Sequence, residues 1–466
     1  MTPSLKAHTA SSDVTHRSVL AIALPIIASN VSTPLIGLID TAVVGQLPQP
    51  HYIGAVALSS TVFTFLFWAF GFLRMGTTGL TAQADGASNP IEVGATLGRA
   101  LLIAGAAGMA LILLQGPVSW FAFAVVEGSA AVEGEAQNYF AIRIWSAPAA
   151  LANYALLGWF IGLGRAPIAL ALQIFLNGLN AILDVWFVLG LGWNVAGVAF
   201  GTVIAEVAAA VVGLTIAASM LKQMGGRPAF TTVIAPQGLR RAIAVNADIM
   251  IRTLCLLAAF TWFVFQGAAS GDVILAANAV LMQFVSFSAY FLDGFAFAAE
   301  TLVGRAIGAR NRRNFDAAVL LSSLWAGIIS VLLGLLLLIS GGMLIDVLTV
   351  SPEVREAARD YLHWAALVPV LGVACYQLDG IFIGATRSTD MRNMAIVSFA
   401  IFLATWAMLH PVLGNHGLWL ALLTLNIARA VTLGLRFGVL VKDAFTDGPA
   451  PASGHALTTP PAARKT

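Results

Sequence analysis

The sequence predicts an all-α polytopic membrane protein: twelve transmembrane helices in two pseudo-symmetric six-helix bundles. Composition, the spacing of apolar runs and an internal repeat each lead to that class. Of 466 residues, 59% are hydrophobic and 10% charged, against roughly 25% charged in a soluble domain. Spanning a hydrocarbon core takes about 20 apolar residues in helical form, and runs of that length recur along the chain. They are too long and too uniform for barrel strands, which alternate over about 10 residues.

Apolar runs bounded by polar or Gly/Pro breaks predict spans at 18–46, 53–82, 95–125, 136–164, 167–191 and 195–221. A second six follow at 237–268, 273–305, 315–346, 354–385, 390–413 and 416–442. The domain plan is a cytoplasmic N-terminal segment 1–17, a first lobe 18–221, a linker 222–236, a second lobe 237–442 and a tail 443–466. The first apolar run lacks a small-residue cleavage signature and is expected to stay as a mature helix. The tail, TDGPAPASGHALTTPPAARKT, has nothing periodic to bury and is expected to be disordered.

Positively charged loops resist translocation, so Lys and Arg set the orientation. With cytoplasmic termini, the inner segments hold Lys6, Arg17, Arg99, Arg165, the group Lys222 to Arg241, the group Arg305 to Arg313, Arg387, Arg392, Arg436 and Lys442. The outer loop 126–138 carries Glu127, Glu133 and Glu135; Arg355 and Arg359 are the exceptions. A bacterial cytoplasmic membrane with both termini inside fits this pattern. Cys255 and Cys375 fall within apolar runs and read as buried thiols.

YFAIRIWSAPAALANYALLGWFIGLGR (139–165) lies without gaps over YLHWAALVPVLGVACYQLDGIFIGATR (361–387), a shift of 222 in the numbering. Tyr139, Tyr154, Gly158, Gly162 and Arg165 meet Tyr361, Tyr376, Gly380, Gly384 and Arg387; the same shift pairs Gly45 with Gly267 and Gly86 with Gly308. Six helices per copy give both copies the same membrane orientation. Transporters built this way carry substrate near the midplane between the halves.

An ionisable group in a span costs about 2.5–3.5 kcal/mol on insertion scales, so each needs a reason. The candidates are Asp40, Arg74, Arg143, Asp184, Glu206, Asp248, Arg252, Asp293, Glu300, Asp379 and Arg429. Asp248, Glu300 and Arg429 lie near predicted helix ends and read as snorkelling or capping groups. In LQIFLNGLNAILDVWFVLG, Asn177, Asn180 and Asp184 share one helix face, as interhelical glue or as a proton or binding site. The carboxylate among amides favours the second. Asp40 follows Pro25 and Pro34, and prolines that free carbonyls make the first span bendable, a candidate hinge. The repeat sets Trp262 opposite Asp40 and Trp406 opposite Asp184, while Asp293 and Asp379 match Gly71 and Leu157. The halves share a frame and divide the acids.

These residues resemble the multidrug and toxic compound extrusion (MATE) family, in its DinF-like branch: Pro25, Asp40 and Gly45 in the first span, Asn180 and Asp184 in the fifth, and the stretch NADIMIRT to AANAVLMQFVSFSAYFLDGFAFAAETLVGRAIGAR (246–310). The resemblance implies a V-shaped pair of six-helix lobes that exports amphipathic, often cationic, small molecules in exchange for protons or sodium ions. It implies a proton-coupling cluster of Asp40, Asn180, Asp184 and Thr202, with Asn177 and Tyr139 as lesser members. Asp379 falls where sodium-coupled relatives hold a cation-binding acid, and with Asp293 forms a candidate ion or substrate site in the second lobe. The expected cycle has Asp40 and Asp184 sharing protons in the outward-facing state, with protonation bending the first span at Pro25 and Pro34 and releasing cargo outside.

No metal, cofactor or nucleic-acid partner is expected, and the coupling ion is H+ with Na+ as the alternative. Membrane lipid and small molecules are the expected partners of a monomer. A lipid-linked precursor flippase would want a strongly cationic cavity, which Arg74, Arg143, Arg252 and Arg429 alone supply weakly. An intramembrane enzyme would need a nucleophile and base or ligand spacing such as HExxH, which does not occur. A pore-type channel fits the kinked, acid-bearing halves less well than alternating access.

Overall fold

A computed structural model describes residues 13–47, 49–125 and 129–445, without the side chains at 33–36, 38, 40, 124 and 125. Twelve long helices account for the two lobes, and there is no strand among the described residues. The first lobe comprises α1 (His16–Val44), α2 (His51–Gly86), α3 (Pro90–Leu113), α4 (Ala130–Gly162), α5 (Ala166–Gly190) and α6 (Asn194–Met224). The second comprises α7 (Pro236–Ala269), α8 (Asp272–Gly308), α9 (Arg312–Leu348), α10 (Pro352–Gly384), α11 (Ser388–Leu413) and α12 (Asn415–Phe445). By length and composition, eleven of them can cross a membrane; α1, with 29 residues, is the twelfth long helix.

Two details differ from the sequence expectation. The predicted span 95–125 divides into α3 and a separate short helix Gln115–Val125, and the linker holds one helical turn, Phe230–Val233. The expected disordered tail from residue 446 onward lies outside the described residues. Cys375 is buried as expected, whereas Cys255 is half-buried.

The repeat holds in three dimensions. Ala130–Gly162 and Pro352–Gly384 keep the sequence offset at both ends, and Pro90 and Arg312 open the third helix of each lobe in the same register. Its glycines mark places where helices touch backbone to backbone. A Cβ on Gly158 would lie 2.3 Å from the Arg74 carbonyl oxygen, and one on its counterpart Gly380 would lie 2.2 Å from the Ala296 oxygen. Arg74 and Ala296 are themselves repeat counterparts, so one close crossing of the second and fourth helices is built twice.

The lobes join at one end. Val14 N–H donates to Asn314 Oδ1, and Phe315 packs on Phe445, which puts the start of α1 and the end of α12 on the same side. Near that end an apolar core runs through both lobes, from Val19, Trp159 and Leu163 to Phe295, Phe315 and Leu440. Beyond it one core gathers around Phe63, Tyr139 and Val195 of the first lobe and takes in Val245 and Ile249 of α7, while another, around Phe263, Ile345 and Trp419, belongs to the second lobe alone.

Polar contacts between the lobes seal the shared end. Arg305 Nε sits 2.8 Å from Asp85 Oδ2, and Gln83 Nε2 donates to the Gly384 carbonyl at 3.0 Å. Gln83 and Arg305 are repeat counterparts: Arg305 lies against Gly164, a left-handed residue with φ +58°, and Gln83 bonds Thr386, which occupies the equivalent turn at φ +53°. At the far end, Arg355 and Arg359, the two exceptions in the charge pattern, both pair with Asp346.

Candidate functional site

The acids of the first lobe lie where α5 meets α6. Asp184 is completely buried. Its Oδ1 accepts from Asn180 Nδ2 at 3.2 Å, and the same Nδ2 lies 3.2 Å from Thr202 Oγ1. Asn180 and Asp184 are one turn apart on α5 and so present one face. Gly201 on α6 lets the carboxylate approach, since a Cβ there would lie 2.3 Å from Asp184 Oδ1. Asn177, half-buried, joins the same face to α1 by donating to Ser32 Oγ at 3.3 Å.

Thus Asn180, Asp184 and Thr202 are brought together, with Asn177 one turn away. Tyr139 belongs elsewhere. Its hydroxyl accepts from Arg143 Nη1 at 3.0 Å, and Arg143 Nη2 is 3.1 Å from Glu206 Oε1. That ion pair, largely buried, is one turn along α6 from Thr202 and forms a second polar cluster. The side chains of Asp40 and Pro34 lie outside those described. The backbone of α1 runs as one helix across Pro25 and both of those positions, so this conformation is not broken at the proposed hinge.

In the second lobe the structure corrects the helix-end readings. Arg429 and Asp248 are buried, and Glu300 is fully so. Asp248 pairs with Arg392 at 2.6 Å and accepts from Ser388 and Thr389. Arg429 and Arg252 both donate to Asp379 Oδ2, forming a triad from α12, α7 and α10. Two guanidinium groups thus occupy the carboxylate oxygen that a sodium ion would use. Asp293 does not join that triad but lines the same cavity from α8.

The cavity lies between the lobes and has a volume of about 630 Å³. Asp379, Arg252 and Arg429 form part of one wall, Asp293 and Glu300 stand on α8, and Trp68 and Phe260 face each other across the lobes with ring centroids 6.1 Å apart. Arg74 of the first lobe covers the Phe297 ring of the second at 3.8 Å. An apolar cleft with a few convergent charged groups is the form that small-molecule sites take.

Sequence reasoning singled out each ion of the triad but not the triad itself. A usable signal was available in electroneutrality. A buried charge stripped of its partner costs roughly 3–5 kcal/mol, so Arg252 and Arg429 each required an acid, and Asp379 was an acid within a span that itself required a partner. The same requirement joins Arg143 to Glu206.

In the C-terminal lobe, Trp262 and Trp406 meet edge to face with centroids 4.8 Å apart. They are the repeat counterparts of Asp40 and Asp184, and α1 packs on α5 as α7 packs on α11.

A family model described as MatE matches residues 25–186 and 249–408, one match in each half and in nearly the register of the internal repeat. DNA damage-inducible protein F of Escherichia coli (strain K12) is 44% identical over 412 residues, covering 88% of this chain and 90% of that protein. A probable multidrug resistance protein NorM of Caulobacter vibrioides is 25% identical, covering 90% and 91%. In fold, the chain superposes with TM-score 0.84 and 17% identity on a solved structure described as the outward-facing conformation of a multidrug resistance MATE family transporter, covering 95% of this chain and 99% of that one. Matched once in each half of its repeat, and similar along nearly its whole length to the E. coli protein, the chain belongs to the MatE family.

Proposed function

We propose that the chain exports amphipathic small molecules across the bacterial cytoplasmic membrane by alternating access, exchanging them for protons at Asp184, with Asn180, Thr202 and Asp40 completing the site. The observation that carries this reading is a fully buried carboxylate well inside an apolar span, held by an amide that also meets a hydroxyl. Ionisable groups at membrane depth are costly and mark ion or proton pathways. The contact of Trp262 with Trp406 supports a role for Asp40, because the same two positions in the first lobe carry Asp40 and Asp184.

The shared core and seal at the end bearing the termini support an outward-facing state, with the charge pattern setting that end in the cytoplasm. Substrate then passes through the cavity between the lobes. Proton coupling is preferred over sodium coupling in the second lobe because Asp379 already holds two guanidinium groups. One elementary charge crossing the membrane supplies about 2.3 kcal/mol per 100 mV, enough to drive the cycle stepwise.

The test is dye efflux and proton flux in proteoliposomes carrying the full chain. Asp184→Asn and Asp40→Asn should each lower transport driven by a pH gradient by tenfold or more. Normal rates in both variants would overturn the proposed coupling site. Full transport on a sodium gradient without a pH gradient would overturn proton coupling.

A further inference from the structure

One wall of the interlobe cavity carries a surplus charge. Asp379 accepts from Arg252 and Arg429 at a single oxygen, and all three residues are more than nine-tenths buried. One carboxylate between two guanidinium groups leaves one positive charge over. Arg252 Nε is buried without an acceptor. Each guanidinium has five N–H donors, so the triad has donors to spare.

The opposite charge stands separately. Asp293 and Glu300 enter the same cavity from α8, and neither takes part in the triad. The repeat gives no structural reason for this set: the counterparts in the first half are Asn30 for Arg252, Gly71 for Asp293, Leu157 for Asp379 and Val207 for Arg429. The first lobe folds to the same plan with none of these charges.

We infer that the cavity receives a zwitterionic amphiphile, with its carboxylate or similar anionic group against Arg252 and Arg429 and its cationic group against Asp293. Its apolar body lies along Trp68, Phe260 and Phe297, rings that line the cavity from both lobes. Planar guanidinium groups suit a carboxylate because two parallel N–H bonds can form. A zwitterion answers the surplus on the triad and the acids on α8 together, whereas a simple cation answers only the acids and meets the arginines unfavourably. The inference rests on the export reading and names the class of compound that the cavity accepts.

The experiment compares two probes of one shape: a rhodamine with a free carboxylate, which is a zwitterion, and its ethyl ester, which is a cation. Binding to the purified full chain in nanodiscs is read by fluorescence polarisation with no ion gradient. The zwitterion should bind at least tenfold more tightly than the ester. Arg429→Gln should weaken the zwitterion tenfold or more and bind the ester at least as tightly as the unmodified chain does, so ester binding also reports that the variant is folded. Asp293→Asn should weaken both probes. Should Arg429→Gln fail to fold, Arg429→Lys keeps the charge and should lose part of the preference while still binding the ester.

Ester binding equal to or tighter than zwitterion binding in the unmodified chain overturns the inference. So does an equal loss of both probes in a folded Arg429 variant. Because no gradient is present, neither result bears on proton coupling, and the liposome assay can fail while this preference stands.

Discussion

A Cβ added at Gly201 tests whether the position of the Asp184 carboxylate matters, without altering the acid. In Gly201→Ala the new carbon would lie 2.3 Å from Asp184 Oδ1, with Asp184 N and Leu183 Cβ at 3.4 Å. Ordinary contact begins near 3.4 Å, so the oxygen must retreat by about 1 Å. The bond from Asn180 is already 3.2 Å long, and a shift of that size breaks it or draws Asn180 away from Thr202. Overpacking costs about 1–3 kcal/mol. Replacing glycine within a helix returns about 1 kcal/mol, so the net loss of stability is about 0–2 kcal/mol and the protein should fold. Misplacing a reacting group by about 1 Å costs up to 100-fold in rate; a fall of at least tenfold in proton-driven efflux is expected. Gly178→Ala on α5 is the control, since its Cβ meets nothing within 4 Å. It should transport normally and melt no lower than the unmodified chain. Efflux by Gly201→Ala at the normal rate and with unchanged pH dependence would refute the claim that this carboxylate's geometry sets coupling.

The seal at the shared end should be weak enough to open. Asp85 and Arg305 are about 30% exposed, and pairs of that kind contribute about 0–1 kcal/mol, so Asp85→Asn should increase cysteine labelling inside the seal by no more than about fivefold, as measured with a maleimide at a cysteine introduced at Thr301, which is fully buried one turn inside Arg305. The Arg143–Glu206 pair is largely buried, so Arg143→Leu should destabilise the chain by about 3–5 kcal/mol. The double change with Glu206→Leu should recover most of that loss in thermal melts; failure to recover would show that the pair is not coupled.

How far the sequence could be read is clearest from particular helices. The repeat carried over to three dimensions because its strongest matches, Gly158 with Gly380 and Gly162 with Gly384, are places where a side chain would strike a neighbouring backbone. Helix type and order depended only on local apolar pattern, which suffices in lipid because every backbone group must be bonded within its helix. Asp184 with Asn180 was legible because i, i+4 neighbours share a face whatever the partner helix. By contrast, Asp379 lies 127 residues from Arg252 and 50 from Arg429. Their meeting depends on how α7, α10 and α12 rotate against one another, and one sequence does not encode that locally. Asp248, Glu300 and Arg429 were misread because helices of 31–37 residues exceed the roughly 20 needed to cross a bilayer. Distance from a helix end therefore did not measure distance from water. Tyr139 was likewise drawn to the wrong acid: its nearest partner, Arg143, is a turn away on α4 and leads to Glu206.

The proposed proton site and the cavity lie on different helices, so their coupling must run through an element that touches both. α1 meets that condition. It packs on α5, which carries Asp184, and on α8, which carries Asp293 and Glu300. Asn177 on α5 donates to Ser32 on α1, and Asn30, two residues away, donates to the Tyr290 carbonyl on α8. Nearer the seal, Ile27 presses on Gly294, where a Cβ would come within 2.3 Å of Ile27 Cγ1. Gly294 directly follows Asp293, so a displacement of this stretch of α1 reaches the cavity wall with no slack to absorb it. Pro25 lies at the near end of the stretch, where the missing N–H removes one restraint on bending. Under the proposed coupling, a change of charge at Asp184 that alters how α1 rests on α5 is transmitted as a shift of α8. Close packing makes such a shift a choice between two arrangements and not a gradual yielding. The second lobe has Arg252 in place of Asn30 and Trp262 in place of Asp40, so α7 lacks both the acid and the matching amide. On the proposed reading, one lobe moves with protonation and the other holds the ligand.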